Sequence, residues 1–175
     1  ATTFAKEWFN KALNNGLAMF QGNLRNIYID EGDFDNARRV ALTAAELGNP
    51  TMMLYTGLDC HEHGKFEDAF TWFTKGAALG QAESTAELAD YYYHFYDTKE
   101  LRRLIPYNPV KAIGLYRRAA TKHFSDAGYA ALQAAFGYIF HIGHLPLDWG
   151  LIADLTHMAA TKERFMFSLP YIGYM

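Results

Sequence analysis

The feature that most constrains the fold is a sequence pattern that the chain repeats at a fixed spacing. The stretch GDFDNARRVALTAAELGNP begins at Gly32, and GKFEDAFTWFTKGAALGQA begins 32 residues later, at Gly64. Both contain an alanine, an apolar or aromatic pair at +3 and +4, a small pair at +7 and +8, and a glycine at +11. Related copies start at Ala5, Ala112 and Ile152, and the last two lack the final glycine. A repeat of this length indicates an array of stacked structural units.

The spacing of this pattern is that of one face of an α-helix. The offsets +3, +4, +7, +8 and +11 follow the helical period. The final glycine is a typical C-terminal stop, because glycine adopts a positive φ at little cost. The small pair lets a second helix approach closely. We call these segments helix B and expect them over 4–15, 34–47, 66–79, 109–122 and 147–161.

A second type of helix, called helix A, lies between these segments. Tyr28, Cys60 and Tyr92 recur at intervals of 32 residues as its expected core positions. Neither type of helix can bury its apolar face alone, whereas stacked neighbours can. The predicted fold is therefore all-α: a right-handed superhelical α-solenoid of stacked antiparallel helix pairs. We expect helix A over 18–31, 50–63, 82–96 and 125–141.

The whole chain, 1–175, is expected to form a single repeat domain. The tail, RFMFSLPYIGYM, is rich in large apolar and aromatic residues. We expect it to cap the last apolar face of the array, with contact to a partner as the alternative. The predicted order is helix B at 4–16, repeats at 17–48, 49–80, 81–123 and 124–163, and the capping tail at 164–175.

The repeated segments resemble a known family. AKEWFNKALNNG (5–16), AFTWFTKGAALG (69–80) and AIGLYRRAATKH (112–123) are similar to the SEL-one-like repeat, a relative of the tetratricopeptide repeat. The resemblance covers most of the chain. The connection from Tyr96 to Ala112 is longer than the earlier ones, so we expect the array to be irregular there.

The resemblance implies a non-enzymatic protein–protein interaction module that binds a protein partner on the concave surface of the A helices. Proteins of this family resemble bacterial adaptors, and some are immunity proteins that neutralise a toxin. We favour a partner-neutralising protein of immunity or inhibitor type, with a toxin or secreted effector as its partner. An adaptor or scaffold in secretion, envelope processes or signalling is the alternative. The compartment, bacterial periplasm or cytoplasm, stays open.

The sequence contains little that favours catalysis. In CHEH, Cys60 and His63 share a helix face but His61 does not, and a zinc site needs three or four converging ligands. The histidines of HIGH, His141 and His144, and the acids of DEGDFD fit surface turns. No Walker loop, dinucleotide glycine fingerprint or G-x-S-x-G elbow is present. We expect no metal and no cofactor, with a metal-assisted enzyme as a remote alternative.

Charge is distributed unevenly along the chain, whose formal net charge is −3. Residues 1–97 carry 14 acidic and 7 basic side chains, whereas residues 98–175 carry 5 and 9. The basic stretch 99–122 fits an acidic protein surface, anionic headgroups or a solvated face. Because the isoelectric point is about 6.2, we do not expect nucleic acid to bind. No apolar run approaches the roughly 20 residues that span a bilayer, so stable membrane insertion is not expected.

Aromatic residues of the third helix A are the main candidates for partner contact. The stretch DYYYHFYD at 90–97 contains five aromatic residues, and tyrosine is frequent in binding hot spots. By analogy with the earlier repeats, Tyr92 and Phe95 belong to the core, so Tyr91 and His94 are predicted to face a partner. The predicted partner-binding set is Asp30, Asp59, Tyr91, His94, Arg102, Arg103 and Tyr107.

Overall fold

The computed structural model describes residues 2–15, 21–93, 98–122, 127–140 and 142–162. Helices joined by short turns make up these ranges, and none of the helices there is long and apolar enough to cross a membrane. The helices in chain order are α1 (Thr2–Asn14), α2 (Gln21–Asp30), α3 (Phe34–Glu46), α4 (Pro50–Glu62), α5 (Phe66–Ala78), α6 (Ala82–Tyr93), α7 (Lys99–Leu104), α8 (Pro109–Ala120), α9 (Ala127–Ile139) and α10 (Trp149–Lys162).

The predicted helices are all present, each within three residues of its expected ends. Helices A correspond to α2, α4, α6 and α9, and helices B to α1, α3, α5, α8 and α10. Each helix of the A or B type packs against the next helix of the other type along the chain, so neighbouring helices form antiparallel hairpins. This stacking confirms the α-solenoid that the repeat predicts.

Local sequence signals begin and end the helices. The Asn49 side chain accepts hydrogen bonds from the Thr51 and Met52 amides at 3.0 and 3.2 Å, and this satisfies two donors that the first turn of α4 leaves free. Pro50 follows as the first helical residue, where its missing N–H costs nothing. Past the C-terminus of α3, Gly48 has a φ of 93°. These signals explain why the helix ends could be predicted from the sequence.

The core runs along the array as three clusters of buried side chains. Small residues dominate it where helices cross closely: Ala130, Ala131, Ala134 and Ala135 of α9 are all 0% exposed. They pack in one cluster with side chains of α6, α8 and α10. A face of alanines lets helix backbones approach, and this is the packing that the small pair in the repeat predicts.

Helix α7 is a feature that the repeat does not predict. It lies in the long connection between α6 and α8, and the Thr98 side chain caps its first turn by accepting from the Leu101 amide at 3.2 Å. Leu101 is 0% and Ile105 3% exposed, and both join the cluster that contains Phe73 of α5. The expected irregularity after residue 96 is therefore a short additional helix that adds apolar cover to the α5–α6 pair.

Candidate protein-binding groove

A groove lies between the helix pair α2–α3 and the helix pair α4–α5. Its volume is about 810 Å³, which is in the range of sites that accommodate ligand side chains. Phe34 of α3, Tyr55 of α4 and Trp72 of α5 line it, and Ala37 and Thr56 lie among them. Helices of both the A and the B type therefore contribute to this surface.

Two of the aromatic rings in the groove already contact cations. The guanidinium carbon of Arg25 is 3.8 Å from the centre of the Tyr55 ring, and Lys75 Nζ is 4.3 Å from the centre of the Trp72 ring. Phe34, the first residue of α3, is 57% exposed. Large aromatic residues and arginine are the residue types that contribute most to binding hot spots, so the groove has the composition of a protein-binding surface.

An ion pair connects the two helix pairs at one side of the groove. Arg38 of α3 donates from Nε to Asp59 Oδ1 of α4 at 2.8 Å and from Nη1 to Asp35 Oδ1 at 2.9 Å. The side chains of Arg38 and Asp59 are 46% and 36% exposed, and such a pair contributes about 0–1 kcal/mol. Its main consequence is local, because it compensates the charge of Asp59.

The antiparallel topology gathers the acids of the groove near its rim. The C-terminus of α4 and the N-terminus of α5 meet at one turn, and Asp59, Glu62 and Asp68 of the lining lie within the last or first turn of these two helices. Arg25 and Tyr55 lie away from this turn, because Tyr55 is seven residues, or about 10 Å along the helix, from the end of α4. The groove therefore has an acidic rim at this turn and, along the middle of α4, an inner part that carries the stacked arginine.

The floor of the groove contains a hydroxyl and a thiol. Thr56 is 7% exposed, and its hydroxyl has no hydrogen-bond partner among the described residues. By contrast, Thr43 and Thr71 bond back to the carbonyl four residues earlier, each at 3.0 Å. Burial raises the pKa of the Cys60 thiol, and the nearby Asp68 carboxylate raises it further. The thiol is therefore protonated at neutral pH, whereas the Thr56 hydroxyl is a buried polar group that no described residue bonds.

The structure separates the predicted partner-binding residues into two groups. Asp59 lines the groove, and Asp30 is exposed at the end of α2. Arg102 and Arg103 are exposed on α7, and they do not line the groove. Tyr107 is 56% exposed, and its ring centre is 6.0 Å from that of Tyr93. His94 and the capping tail lie outside the described residues.

The prediction that Tyr91 faces a partner is wrong. Tyr91 is 0% exposed, and its ring packs edge-on against Phe73 with the centroids 5.5 Å apart. Its hydroxyl is 2.7 Å from Nδ1 of His61, and burial holds its pKa well above the ordinary value. Leu101 of α7 belongs to the same buried cluster. Tyr92, expected in the core, is only half-buried.

The histidines of CHEH do not converge. His61 Nδ1 meets the Tyr91 hydroxyl, and burial lowers the pKa of His61. His63 Nδ1 instead lies 2.7 Å from the carbonyl oxygen of Asp59. Across the described ranges, no group of three or more His, Cys, Asp or Glu side chains is arranged to hold a metal ion.

The sequence reasoning missed Phe34, Trp72 and the stacked Arg25 as groove residues. One signal was present: Phe34 and Phe66 both begin a B helix 32 residues apart, at a position where an apolar side chain is not needed for the helix itself. The stacking of Arg25 on Tyr55 joins different helices, so no spacing rule within one helix could indicate it.

The class of protein follows from this architecture, because hairpins of antiparallel helices stacked into an array define the helical-repeat proteins. Among these, the chain has the fold of Sel1-like repeat proteins, and this confirms the resemblance that the repeated segments indicate.

Two solved structures carry that conclusion. A Sel1 repeat protein from Oxalobacter formigenes superimposes with a TM-score of 0.74 at 21% identity, over 93% of this chain and 65% of that one. A protective antigen present in uropathogenic Escherichia coli strains, which displays an SLR fold, gives a TM-score of 0.57 at 18% identity, over 90% of this chain and 41% of that one. This chain thus spans less than two thirds of either structure. No protein-family model and no curated protein matches it.

Proposed function

We propose that this chain is a protein-binding module that holds a protein partner in the groove between α2–α3 and α4–α5. The observation that carries the proposal is the groove itself, an open site of about 810 Å³ lined by Phe34, Tyr55 and Trp72. Helical-repeat arrays present extended binding surfaces as a consequence of their stacking. The fold shared with Sel1-like repeat proteins supports the same class of function.

Binding at this surface would follow the usual energetics of protein interfaces. A stable complex buries on the order of 1,200–2,000 Å² in total, so the partner must extend beyond the groove onto neighbouring helices. The aromatic side chains would form the centre of the interface, where water is excluded and each contact contributes most. The exposed charges of the rim would then govern the rate of association more than the final affinity.

Within this class we favour a non-enzymatic partner-neutralising protein of immunity or inhibitor type, whose partner is a toxin or secreted effector. The aromatic lining of the groove suits a dedicated partner, because such residues contribute most to binding hot spots. An adaptor is the second candidate, and the exposed Arg102 and Arg103 on α7 support it because they form a second, basic surface. The two roles differ in a measurable way: an inhibitor abolishes the activity of its bound partner, whereas an adaptor leaves that activity intact.

The experiment compares two apolar side chains of equal exposure. Phe34 lines the groove and Leu79 does not, yet both are 57% exposed. Proteins captured from a cell extract on the unmodified chain, on Phe34→Glu and on Leu79→Glu would be quantified by mass spectrometry, and the candidate partner would be purified and titrated by calorimetry. We expect Phe34→Glu to weaken binding at least about tenfold, as for a hot-spot residue.

Leu79→Glu is the control for a negative charge placed outside the groove. Leu79→Glu should bind the purified partner with the affinity of the unmodified chain, because it introduces the same charge at equal exposure outside the groove. If both variants bind equally well, with circular dichroism showing both folded, the groove is not the binding surface.

A further inference from the structure

We propose that Arg25 is the anchor of the groove and that it recognises a side-chain carboxylate, from aspartate or glutamate, in an apolar segment of the partner. This inference rests on the proposed function, since it names the chemistry that the same groove would accept. Four observations on the described residues support it. They are the stacking of Arg25, the N–H donors at its edge, the charges of the neighbouring residues, and the buried Thr56 hydroxyl.

Within the part of the chain that the structure describes, the guanidinium of Arg25 has no acidic partner. It stacks on Tyr55 at 3.8 Å. Among the described residues its hydrogen bonding is confined to Asn26 Oδ1 at 3.5 Å, a long distance for a hydrogen bond. A guanidinium has five N–H donors at its edge and none on its face. Stacking therefore orients Arg25 and leaves its edge able to make two parallel bonds to a carboxylate.

The other cations of the groove differ from Arg25 because they are either paired with acids or more exposed to water. Arg38 is bonded to Asp35 and Asp59, so its charge is compensated. Arg39 and Lys65 are exposed at the surface, where water screens their charges. Arg25 is the half-buried cation of the lining, and an incoming carboxylate gains most from a charge that water screens least.

The acids of the groove do not oppose a carboxylate at Arg25. Glu62 and Asp68 lie at the rim, at the end of α4 and the start of α5. Asp59 is one turn from Tyr55, and it is paired with the guanidinium of Arg38, which Asp35 shares. The partner segment would therefore place its acidic side chain in the inner part of the groove, with apolar side chains against Phe34 and Trp72.

The floor provides an independent indication of a polar ligand atom. Thr56 follows Tyr55 directly, is more than nine-tenths buried, and has a hydroxyl without a partner among the described residues. A buried hydroxyl that lacks a partner is costly. A ligand carboxylate in the groove could give it one, since Thr56 belongs to the lining.

Three short peptides test the inference by nuclear magnetic resonance. The probes are Ac-Phe-Glu-Phe-NH2, its neutral counterpart Ac-Phe-Gln-Phe-NH2, and Ac-Phe-Gln-Phe-OH, whose only carboxylate is the C-terminal one. Each is titrated into the isotope-labelled chain while the Arg25 Nε–H, Thr56 amide and Trp72 indole signals are followed. We expect the glutamate peptide to bind about tenfold more tightly than either other peptide, the size of one charged hydrogen-bond pair.

Variants assign that preference to Arg25. Arg25→Gln should make the glutamate and glutamine peptides bind equally, and Arg25→Lys should keep only part of the preference because it lacks the planar fork. The matched control is Lys111→Gln. Lys111 Nζ lies 4.1 Å from the centre of the Tyr92 ring, and neither residue lines the groove. This substitution should leave the preference unchanged.

The possible results separate this inference from the proposed function. If the glutamate and glutamine peptides bind the groove equally, or if the preference survives in Arg25→Gln, the carboxylate anchor is wrong while the groove remains a binding surface. If Ac-Phe-Gln-Phe-OH binds most tightly, the site recognises a chain terminus and the assignment to a side chain is wrong. If no peptide shifts the groove signals at millimolar concentration, the carboxylate anchor is wrong, whereas the groove as a protein-binding surface is decided by the comparison of Phe34→Glu with Leu79→Glu.

Discussion

The close packing of α4 on α5 makes a sharp prediction at Gly57. A β-carbon added there would lie 2.6, 2.8 and 3.1 Å from three carbon atoms of the Phe73 ring. Phe73 is 0% exposed, so its ring has no solvent to move into. Because carbon atoms pack at about 3.5–4.0 Å, the methyl group of alanine requires the two helices to separate or the ring to leave its rotamer.

The expected change in the free energy of unfolding is the sum of two opposing contributions. Alanine is favoured over glycine in a helix interior by about 0.5–1 kcal/mol, whereas overpacking a filled core costs about 1–3 kcal/mol. Gly57→Ala should therefore lower the free energy of unfolding by about 1 kcal/mol on balance. For a chain of this size that corresponds to a fall in Tm of about 2–4 °C.

Gly114 provides the matched control within the same fold. It lies in the interior of α8, and among the described residues no side chain and no atom of another helix lies within 4 Å of its β-carbon position. Gly114→Ala should show only the preference of alanine over glycine in a helix interior. The variant should therefore be more stable by about 0.5–1 kcal/mol. The same substitution is thus expected to have opposite signs at the two sites, as measured by urea denaturation and thermal melting followed by circular dichroism.

A double variant tests the cause. If the Phe73 ring is the obstacle, Gly57→Ala should cost less in a Phe73→Leu background than in the unmodified chain, and the two effects should not add. The reasoning is refuted if Gly57→Ala is as stable as the unmodified chain while Gly114→Ala behaves as expected, because α4 and α5 then do not approach as closely as described.

Three further predictions concern stability. Leu101→Ala should cost about 2–5 kcal/mol in urea denaturation, as for a fully buried leucine; a loss no larger than that of Leu104→Ala, which truncates a 46% exposed leucine, would show that α7 is not docked. Thr56→Val should raise Tm, because it removes an unpartnered buried hydroxyl; a lower Tm would show that the hydroxyl is bonded. Burial lowers the pKa of His61, so below about pH 6.5 the unfolded chain binds more protons and stability should fall with decreasing pH. His61→Gln should reduce that slope between pH 7.5 and 5, and an unchanged slope would contradict the reasoning.

Alkaline stability provides one more test. Burial raises the pKa of Tyr116 well above its ordinary value, and that of Tyr129 in the same way. Above about pH 10 the unfolded chain loses tyrosine protons that the folded chain keeps, so stability should fall as pH rises beyond that point. The check is the urea midpoint at pH 8, 9.5 and 10.5. A midpoint that stays constant up to pH 10.5 would show that these hydroxyls are not buried.

Much of the fold could be predicted because its signals are local. The apolar face of each B helix, the cap at Asn49 and the stop at Gly48 all depend on residues within one or two turns of each other. The 32-residue interval then repeats those signals, and stacking is the arrangement in which such helices bury their apolar faces. The candidate site was less predictable: of the expected residues that the structure describes, Asp59 alone lines the groove.

The error at Tyr91 has a physical origin. Tyr91 was placed on the surface by extending the register of Tyr28 and Cys60 to Tyr92. This expectation assumed that the third unit repeats the first two. In the folded chain, Leu101 of α7 adds a contact that the earlier repeats lack, and Tyr91 is buried against the same cluster.

The amino-acid sequence by itself determined that this chain forms paired helices, where those helices begin and end, and that they stack in order. These properties depend on helical periodicity and capping, which act over a few residues. The tertiary structure alone decided which side chains are exposed between the helix pairs. The stacking of Arg25 on Tyr55 and the opening beside Trp72 result from how two hairpins meet, and contacts between distant segments have no periodic signature in the sequence.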